Sequence, residues 1–336
     1  MTGQRLSAVK IAECDELVDI LRRPGPGGVI VLGGYGMGKT TLVREALSRP
    51  GIPAPIMRLH CTPSLSGESY GALSPYLTQL NTIRSPVDVL RAIAAYLRAH
   101  QEHDGPAIVV VEDAQFLDPE TAFVLSALVE NSAIKLVAIG AGRLDGYLTL
   151  FSLTETGTLS ILVVKPLDFE GVRLLASELV GGALTAAAVE TIRTMSGGNP
   201  SFVKAFVASS VEQSLLVRDG TGIHGSGGLW SLAQIVPNPD ERLIDLVQNM
   251  LASLPSQLRT TLEFLALAGP QHRTQLVVSV GSAYRHLLES GILRLDGDRI
   301  AIASEIHAAV LRHIIAPGRS RELHGVWDQA RNTRSQ

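Results

Sequence analysis

The most constraining feature of this 336-residue chain is a glycine-rich segment that leads into a lysine and a threonine. Gly33, Gly38, Lys39 and Thr40 fit the spacing of a glycine, four free positions and glycine-lysine-serine/threonine, between an apolar run and a helical pattern. In such a segment the backbone N–H groups converge on phosphate oxygens, and the positive end of the following helix strengthens the attraction. The sequence therefore predicts a strand, a phosphate-binding loop and a helix at this point.

The side chains of this loop predict a nucleotide site with a magnesium ion. Lys39 would place its charge against the β- and γ-phosphates, and the Thr40 hydroxyl would ligate Mg²⁺. A dinucleotide-binding fingerprint is excluded because its third glycine would fall on Lys39. ATP and ADP are favoured over guanine nucleotides because the chain contains no Asn-Lys-x-Asp sequence. The loop residues expected to contact the nucleotide are Gly33, Gly34, Tyr35, Gly36, Met37, Gly38, Lys39, Thr40 and Thr41.

Short apolar runs alternate with helical patterns in the first half of the chain. This alternation predicts a parallel sheet with helices on both faces, an α/β nucleotide-binding domain at residues 1–168. The expected strands are 29–32, 56–59, 108–111, 136–139 and 161–164, and the expected helices include 11–21, 86–100 and 121–130.

Helical patterns dominate after residue 168, where we predict a helical lid domain (169–242) and a winged-helix domain (243–336). The lid helices are expected at 169–179, 187–195 and 202–216, followed by a glycine-rich loop or short hairpin at 219–232. In the last domain three helical segments precede a β-hairpin with Asp296 and Gly297 at its turn. A closing helix follows, and Ser304 suits its N-cap.

Two acidic residues end one of the predicted strands. Glu112 and Asp113 follow the run 108–111, and open α/β sheets bind their ligands at this carboxyl edge. One carboxylate would hold Mg²⁺ through its water shell, and the other would orient or deprotonate the attacking water. Arg143 follows the next strand, where a cation would stabilise charge on the γ-phosphate. We therefore predict Glu112, Asp113 and Arg143 as catalytic residues, and Thr40 with Glu112 as magnesium ligands.

Charge and composition exclude several classes of protein. With 29 basic and 32 acidic side chains, the chain has a net charge of −3, so it is neither a disordered polyelectrolyte nor a strongly basic nucleic-acid binder. The N-terminus lacks the apolar core of a signal peptide, and no apolar run approaches the roughly 18 residues of a membrane helix. Two cysteines cannot build a disulfide framework. We expect a cytoplasmic protein with no membrane partner.

Together these motifs resemble the STAND class of signal-transducing ATPases, whose parallel sheet is like that of AAA+ proteins. The likeness is to the ATPase and winged-helix part of the large ATP-binding LuxR-type bacterial transcription regulators. The matching segments follow the family order along nearly the whole chain: Gly33–Val43, Ser69–Leu77, Val109–Thr121, Arg143, Ser196–Val203, Leu287–Leu293 and Ser320–Trp327.

This resemblance implies a nucleotide switch with slow ATP hydrolysis. ADP would hold the modules closed, whereas ATP and an inducer or regulatory protein would favour an open, self-associating form. Glu112 and Asp113 would be the Walker B pair, Arg143 the sensor arginine, and Pro200 a neighbour of the adenine. In such regulators DNA is bound by a further module, which the sequence does not show before Gln336. The chain is accordingly expected to be a fragment of a longer regulator or a shortened member that acts through partners.

Three segments depart from the family pattern. The family usually places Asp first in its acidic pair, and the longer Glu112 at that position predicts slow turnover. Ala12-Glu13-Cys14 replaces a Gly-Arg-Glu element that packs on the nucleotide, and Ser304 replaces a histidine of the winged helix. If that histidine helps to retain ADP in relatives, its loss predicts a looser closed state.

Two other functions remain open at this point. An AAA+-like ATPase with a winged helix that loads onto DNA, as replication initiators do, would be stimulated by DNA. A scaffold that binds ADP without turnover would retain the nucleotide and not hydrolyse ATP. The last 91 residues carry ten arginines against seven acidic residues, which is a weak electrostatic footprint for DNA.

Overall fold

The computed structural model describes residues 10–25, 27–77, 85–101, 105–141, 148–218, 228–233, 238–252, 254–280 and 284–332. The chain divides into two compact units. The described residues of the first unit lie within 10–33 and 38–164, and those of the second are 34–37 and the residues from 165 onward. The division therefore runs through the phosphate-binding loop. The predicted boundary between residues 168 and 169 lies four residues beyond the end of the first unit.

The first unit is built on a five-stranded parallel sheet with the strand order β2-β3-β4-β1-β5. Its strands are β1 (Gly27–Leu32), β2 (Met57–His60), β3 (Ala107–Glu112), β4 (Ile134–Gly140) and β5 (Leu159–Val163). Its helices are α1 (Ile11–Arg22), α2 (Lys39–Leu47), α3 (Pro86–His100), α4 (Pro119–Glu130) and α5 (Leu148–Glu155), with 3-10 turns at Gly71–Tyr76 and Ala114–Phe116. All five predicted strands are confirmed.

The inner strands are apolar because both of their faces are covered. Val29, Ile30 and Val31 of β1 are fully buried, and every residue of β4 is buried. Such strands have no polar face, which is why the sequence shows continuous apolar runs and no alternation. The sheet core continues into α3 and α4, each of which starts with a capping side chain followed by proline, Ser85-Pro86 and Asp118-Pro119.

The second unit is mainly helical and has its own hydrophobic core. Its helices are α6 (Phe169–Val180), α7 (Ala186–Ser196), α8 (Pro200–Glu212), α9 (Glu241–Ala252), α10 (Ser256–Ala268), α11 (Arg273–Val280), α12 (Tyr284–Glu289), α13 (Glu305–Ile314) and α14 (Pro317–Asn332). Two short antiparallel sheets accompany them, β6 (Leu216–Arg218) with β7 (Trp230–Leu232), and β8 (Gln271–His272) with β10 (Arg299–Ile302) and β9 (Leu293–Asp296). The core runs through both predicted modules, whose separation into lid and winged helix stays a prediction.

Three details of the second unit differ from the sequence prediction. Helix α8 ends at Glu212 and not at residue 216, because Ser214 takes a left-handed conformation (φ 55°) and Leu216 enters a strand. The described residues between 241 and 291 form four helices and not three. The hairpin turn is one residue later than expected, since Asp296 pairs with Arg299. The predicted N-cap Ser304 is confirmed, as its Oγ accepts a hydrogen bond from the His307 N–H.

Among the residues that the structure describes, the helices are all too short or too polar to pass through a lipid bilayer.

Candidate functional site

The phosphate-binding loop leaves the carboxyl end of β1 and enters α2, as the motif requires. Gly38 forms the N-cap of α2 in a left-handed conformation (φ 85°), and Gly36 is also left-handed (φ 77°). Both conformations favour glycine, because a Cβ atom would strain the backbone there. Lys39, Thr40 and Thr41 form the first turn of α2, whose N–H groups and dipole attract anions.

Lys39 is held beside its own loop. Its Nζ donates a hydrogen bond to the Gly33 carbonyl at 2.9 Å. Burial lowers the pKa of the Lys39 amine to about 8, while the carboxylate of Asp113 acts in the opposite direction and Lys10 adds to the lowering. A buried cation is stabilised by a nearby anion, so this amine suits a phosphate ligand. Because the Asp113 carboxylate opposes the lowering of the Lys39 pKa, the residue after β3 lies close enough to the loop for the two charges to interact.

The acidic pair lies at the end of β3, with β4 between it and β1. Neighbouring strands are about 4.8 Å apart, so β3 and β1 are separated by about 10 Å, which leaves room for phosphate and a hydrated cation. The two carboxylates have different surroundings. Glu112 faces the guanidinium of Arg58 at 3.8 Å and Nδ1 of His60 at 3.5 Å, both on the neighbouring strand β2. Asp113 is exposed, just beyond the strand.

Asp113 owes its position to a local turn. It takes a left-handed conformation (φ 53°), and its Oδ1 accepts a hydrogen bond from Nε2 of Gln115 at 3.1 Å. The other end of the Gln115 amide accepts the N–H of Ala141, just after β4, at 3.2 Å. Gln115 is itself buried. It therefore ties Asp113 to the end of the strand that lies next to β1.

Asp118, which lies in the same segment as Asp113 (109–121), has a structural role. Asp118 is buried, and its Oδ1 caps α4 by accepting the N–H of Thr121 at 2.8 Å. The same oxygen accepts the N–H of Tyr70 at 2.9 Å, and Oδ2 accepts the hydroxyl of Thr121. Asp118 thus joins two of the segments that carry the family resemblance, 69–77 and 109–121, within the first unit.

The middle of the phosphate-binding loop, which we call the loop tip (Gly34–Met37), belongs to the second unit. There it meets the start of α8. The Asn199 Nδ2 donates to the carbonyl of Tyr35 at 2.7 Å. The Gly36 carbonyl accepts two hydrogen bonds from Ser201, one from its N–H at 3.3 Å and one from its Oγ at 3.1 Å. Pro200, the predicted neighbour of the adenine, is the first residue of α8.

A small cleft adjoins the loop tip within the second unit. Gly34 and Met37 contribute to its lining together with the polar residues Ser290, Ser304 and His307. His307 is 1% exposed, and its ring stacks on Phe202 at 5.4 Å between centroids. Its Nε2 has no hydrogen-bond partner among the residues that the structure describes. Burial lowers the pKa of His307 to about 3, so the ring is neutral at physiological pH.

The predicted site residues are partly brought together. The phosphate-loop residues form one strand–loop–helix segment, and Asp113 acts electrostatically on Lys39. Arg143 lies outside the described residues. The oxygen groups of Thr40, Glu112 and Asp113 are of the hard kind that Mg²⁺ prefers, and the described residues form no cluster of three His, Cys, Asp or Glu side chains that would bind a metal without the nucleotide.

Sequence reasoning missed Gln115, Asn199 and Ser201. The signal for Asn199 was present, because an asparagine followed by proline is a typical helix start. Its amide contact with Tyr35 is a tertiary contact between residues 164 positions apart and leaves no local pattern. The extra glycines at 34 and 36 were the only trace of this contact in the sequence.

Comparison with solved structures supports the fold. The Walker-type ATPase PABY2304 of Pyrococcus abyssi aligns with a TM-score of 0.55 at 16% identity, over 90% of this chain and 95% of that chain. The RuvB Holliday junction branch migration motor of Thermotoga maritima has a TM-score of 0.45 at 15% identity, covering 89% and 95%. Cdc6p of Pyrobaculum aerophilum has a TM-score of 0.42 at 16% identity, covering 95% of each chain. No family model and no curated protein matches the sequence. The five-stranded parallel sheet and the first of these likenesses confirm the α/β P-loop NTPase fold.

Proposed function

We propose that this protein is an ATP- and ADP-binding switch that hydrolyses ATP slowly and transmits the state of the nucleotide to its second unit. The proposal rests on the surroundings of Lys39. Its partly buried amine lies at the start of α2 and donates a hydrogen bond to the Gly33 carbonyl. The Asp113 carboxylate is close enough to oppose the lowering of the Lys39 pKa by burial. A cation whose burial is only partly compensated by the protein gains most from a bound polyphosphate.

The loop residues divide the work of binding. The N–H groups of residues 33–41 would surround the β-phosphate, Lys39 would bridge the β- and γ-phosphates, and the Thr40 hydroxyl would hold Mg²⁺. A bound Mg²⁺ would neutralise charge on the phosphate oxygens. Pro200 would contact the adenine, as the family resemblance implies.

The acidic pair explains why turnover is expected to be slow. In the proposed assignment Glu112 would hold the metal through its water shell, Asp113 would orient the attacking water, and Arg143 would stabilise the γ-phosphate. The Glu112 carboxylate, however, faces Arg58 and His60. These basic groups compete with a metal ion for the same oxygens, so the productive arrangement of Glu112 would be adopted only part of the time.

The switch part of the proposal rests on the loop tip. Since residues 34–37 group with the second unit, a change at the phosphates has a direct path to α8. By resemblance to STAND regulators, we propose that ADP favours a closed form and ATP a self-associating form, with an inducer or regulatory protein as further partner. The LuxR-type role in transcription belongs to this proposal.

A DNA-dependent ATPase is the second candidate, because the hairpin of β9 and β10 resembles a wing that carries exposed arginines, Arg294 and Arg299. Asp296 and Asp298 at the tip of the same hairpin are also exposed and would repel phosphates. This balance of charge favours the switch over the DNA-dependent enzyme.

The test identifies the nucleotide that copurifies with the protein and measures ATP turnover with and without duplex DNA, together with the molecular mass in ATP and in ADP. The proposal predicts that ADP copurifies with the protein and that the molecular mass is larger in ATP than in ADP. It also predicts an ATP turnover below roughly 1 s⁻¹, the lower end of the range of typical enzymes, which duplex DNA leaves unchanged. Stimulation by DNA would favour the second candidate. Bound ADP without any turnover would leave only a scaffold.

A further inference from the structure

The loop tip contains two glycines that the phosphate-binding pattern does not demand. Positions 34–37 are free in the pattern, yet Gly34 and Gly36 occupy two of them. A Cβ atom at Gly34 would lie 2.4 Å from the carbonyl oxygen of Ser290. One at Gly36 would lie 2.8 Å from Asn199 Oδ1 and from the Cβ of Ser201. Close contact with the second unit's own residues therefore explains Gly34, and at Gly36 it adds to the demand of a left-handed backbone (φ 77°).

The start of α8 holds two successive peptide groups of the loop tip. Asn199 binds the carbonyl of Tyr35, and Ser201 binds the carbonyl of Gly36 twice. A trans peptide group is planar, with its C=O and N–H pointing in opposite directions. When the carbonyl of Tyr35 is fixed toward Asn199, the N–H of Gly36 is fixed toward the opposite side of the loop. The contact with Asn199 thus orients the Gly36 N–H, which is a donor available to a phosphate.

We propose that Asn199 and Ser201 are positioning residues for phosphate binding, which fix the peptide groups of the loop tip so that the Gly36 N–H faces the nucleotide. The inference rests on the proposed nucleotide site and adds a residue pair to it. It also gives the switch a defined contact, because any movement of the α8 start changes the orientation of the loop's donors.

The Asn199 side chain performs two tasks with two different atoms. Its Oδ1 caps α8 by accepting the N–H groups of Ser201 at 2.9 Å and Phe202 at 3.4 Å. Since that oxygen accepts two N–H groups, the amide orientation is fixed, and Nδ2 is the atom that reaches Tyr35. Asn199→Asp keeps the oxygen that caps α8 and replaces the donor with a carboxylate oxygen that would repel the Tyr35 carbonyl, so it breaks the loop contact while the helix cap is retained. Ser201→Ala weakens the neighbouring contact without adding charge.

The experiment measures ADP affinity by calorimetry for the wild type, Asn199→Asp, Ser201→Ala and a matched control, all below their unfolding temperatures. The control is Thr185→Ala, which removes the cap of α7 in the same unit, where Thr185 Oγ1 accepts the N–H of Ala188. We expect Asn199→Asp to weaken ADP binding about tenfold, because a charge-assisted donor to phosphate is misaligned. Ser201→Ala should weaken it about threefold, since one of its two hydrogen bonds remains. Thr185→Ala should lower stability and leave the affinity within about twofold.

Two results would overturn the inference while nucleotide binding stands. One is that Asn199→Asp binds ADP with the affinity of the wild type. If that variant does not fold, an unchanged ADP affinity in Ser201→Ala has the same meaning. The other is an equal loss in Thr185→Ala, because then any loosened helix of this unit has the same effect. If the wild type binds ADP no better than Lys39→Ala does, the proposed function itself fails, and the positioning role fails with it.

Discussion

The flanks and the tip of the phosphate-binding loop are built for different purposes. At the flank, Gly38 is a fixed position of the motif, takes a left-handed conformation (φ 85°) and has nothing within 4 Å of a Cβ placed on it. At the tip, Gly34 and Gly36 are free positions of the motif, and each meets residues of the second unit. Gly38 serves backbone conformation alone, whereas both tip glycines serve close contact, and Gly36 also has a left-handed conformation (φ 77°).

In this loop a general motif has acquired a use specific to this chain. The fixed residues of the pattern recognise phosphate in any protein that carries it. The free residues connect the loop to the rest of this particular chain, here to α8 and to the segment at Ser290. Variants that act on one region and not on the other test the distinction directly.

The largest effect is expected from Gly34→Ala. The added methyl would lie 2.4 Å from a backbone oxygen, and because backbone cannot move aside cheaply, we expect a loss of about 3 kcal/mol in the free energy of unfolding of the second unit. Trp230 packs against the hydrophobic core of this unit, so fluorescence-detected urea unfolding reports the unit's stability. The matched variant Gly38→Ala adds only left-handed strain, about 1 kcal/mol. Because Gly38 belongs to the first unit, its effect is followed by circular dichroism, which reports the unfolding of both units. Equal losses in the two variants would abolish the distinction between tip and flank.

A pH effect comes next in size and concerns the cleft beside the tip. His307 has a pKa of about 3 in the folded protein and about 6.5 when unfolded. Between these pH values the unfolded chain binds a proton that the folded chain does not bind. The contribution of neutral His307 to the free energy of unfolding is therefore present above about pH 6.5 and is lost as the pH is lowered. The expected loss is about 1.6 kcal/mol between pH 6.5 and 5, because the limiting slope of about 1.4 kcal/mol per pH unit is reached only below the unfolded pKa.

The control for this prediction is His307→Leu, which cannot take up a proton. Its stability, followed by the same tryptophan fluorescence, should fall less steeply over the same pH range. A variant with the wild-type slope would show that other groups cause the acid sensitivity.

Asp113→Asn is expected to lower ATP turnover about tenfold, which corresponds to about 1.4 kcal/mol in the barrier. The amide cannot accept a proton from water, while the loop that binds phosphate is unchanged, so ADP should still bind. Gln115 can still hydrogen-bond the retained Oδ1 of the asparagine, which preserves the local turn. Turnover equal to that of the wild type, measured as phosphate release, would remove Asp113 from the mechanism.

The smallest effect is expected from Ser304→Ala in the second unit. The variant loses the cap of α13 and a hydrogen bond from Ser304 Oγ to the carbonyl of Met195 at 2.8 Å. We expect a loss of about 1 kcal/mol in unfolding free energy, read from the same tryptophan signal. A larger loss in ADP affinity than in stability would instead make Ser304 part of the nucleotide site.

The sequence predicted the first unit well because its signals are local. Helix α3 begins and ends where expected, since Ser85 and Pro86 start it and a fully buried stripe at Val89, Ile93 and Leu97 defines its face. The strands are apolar throughout, and the loop motif marks the switch from strand to helix. The carboxylates of Glu112 and Asp113 were found from their place at a strand end.

The second unit was harder to predict because its decisive features depend on tertiary contacts. The end of α8 is set by the left-handed conformation of Ser214, which the residue type serine does not predict. The two-residue strand β8 exists only through its pairing with β10. Likewise, the difference between Glu112, which faces Arg58 and His60, and Asp113, which acts on Lys39, arises from neighbours on other strands and not from the order of the two acids.

The central claim is that the loop binds a nucleoside polyphosphate through Lys39. The most direct measurement is calorimetric titration of the nucleotide-free protein and of Lys39→Ala with ADP and with ATP, in the presence of Mg²⁺. The account predicts saturable binding by the wild type and a loss of at least about tenfold in affinity in the variant, because one charge-assisted contact to phosphate is removed. Equal affinity of the two proteins for both nucleotides would contradict it.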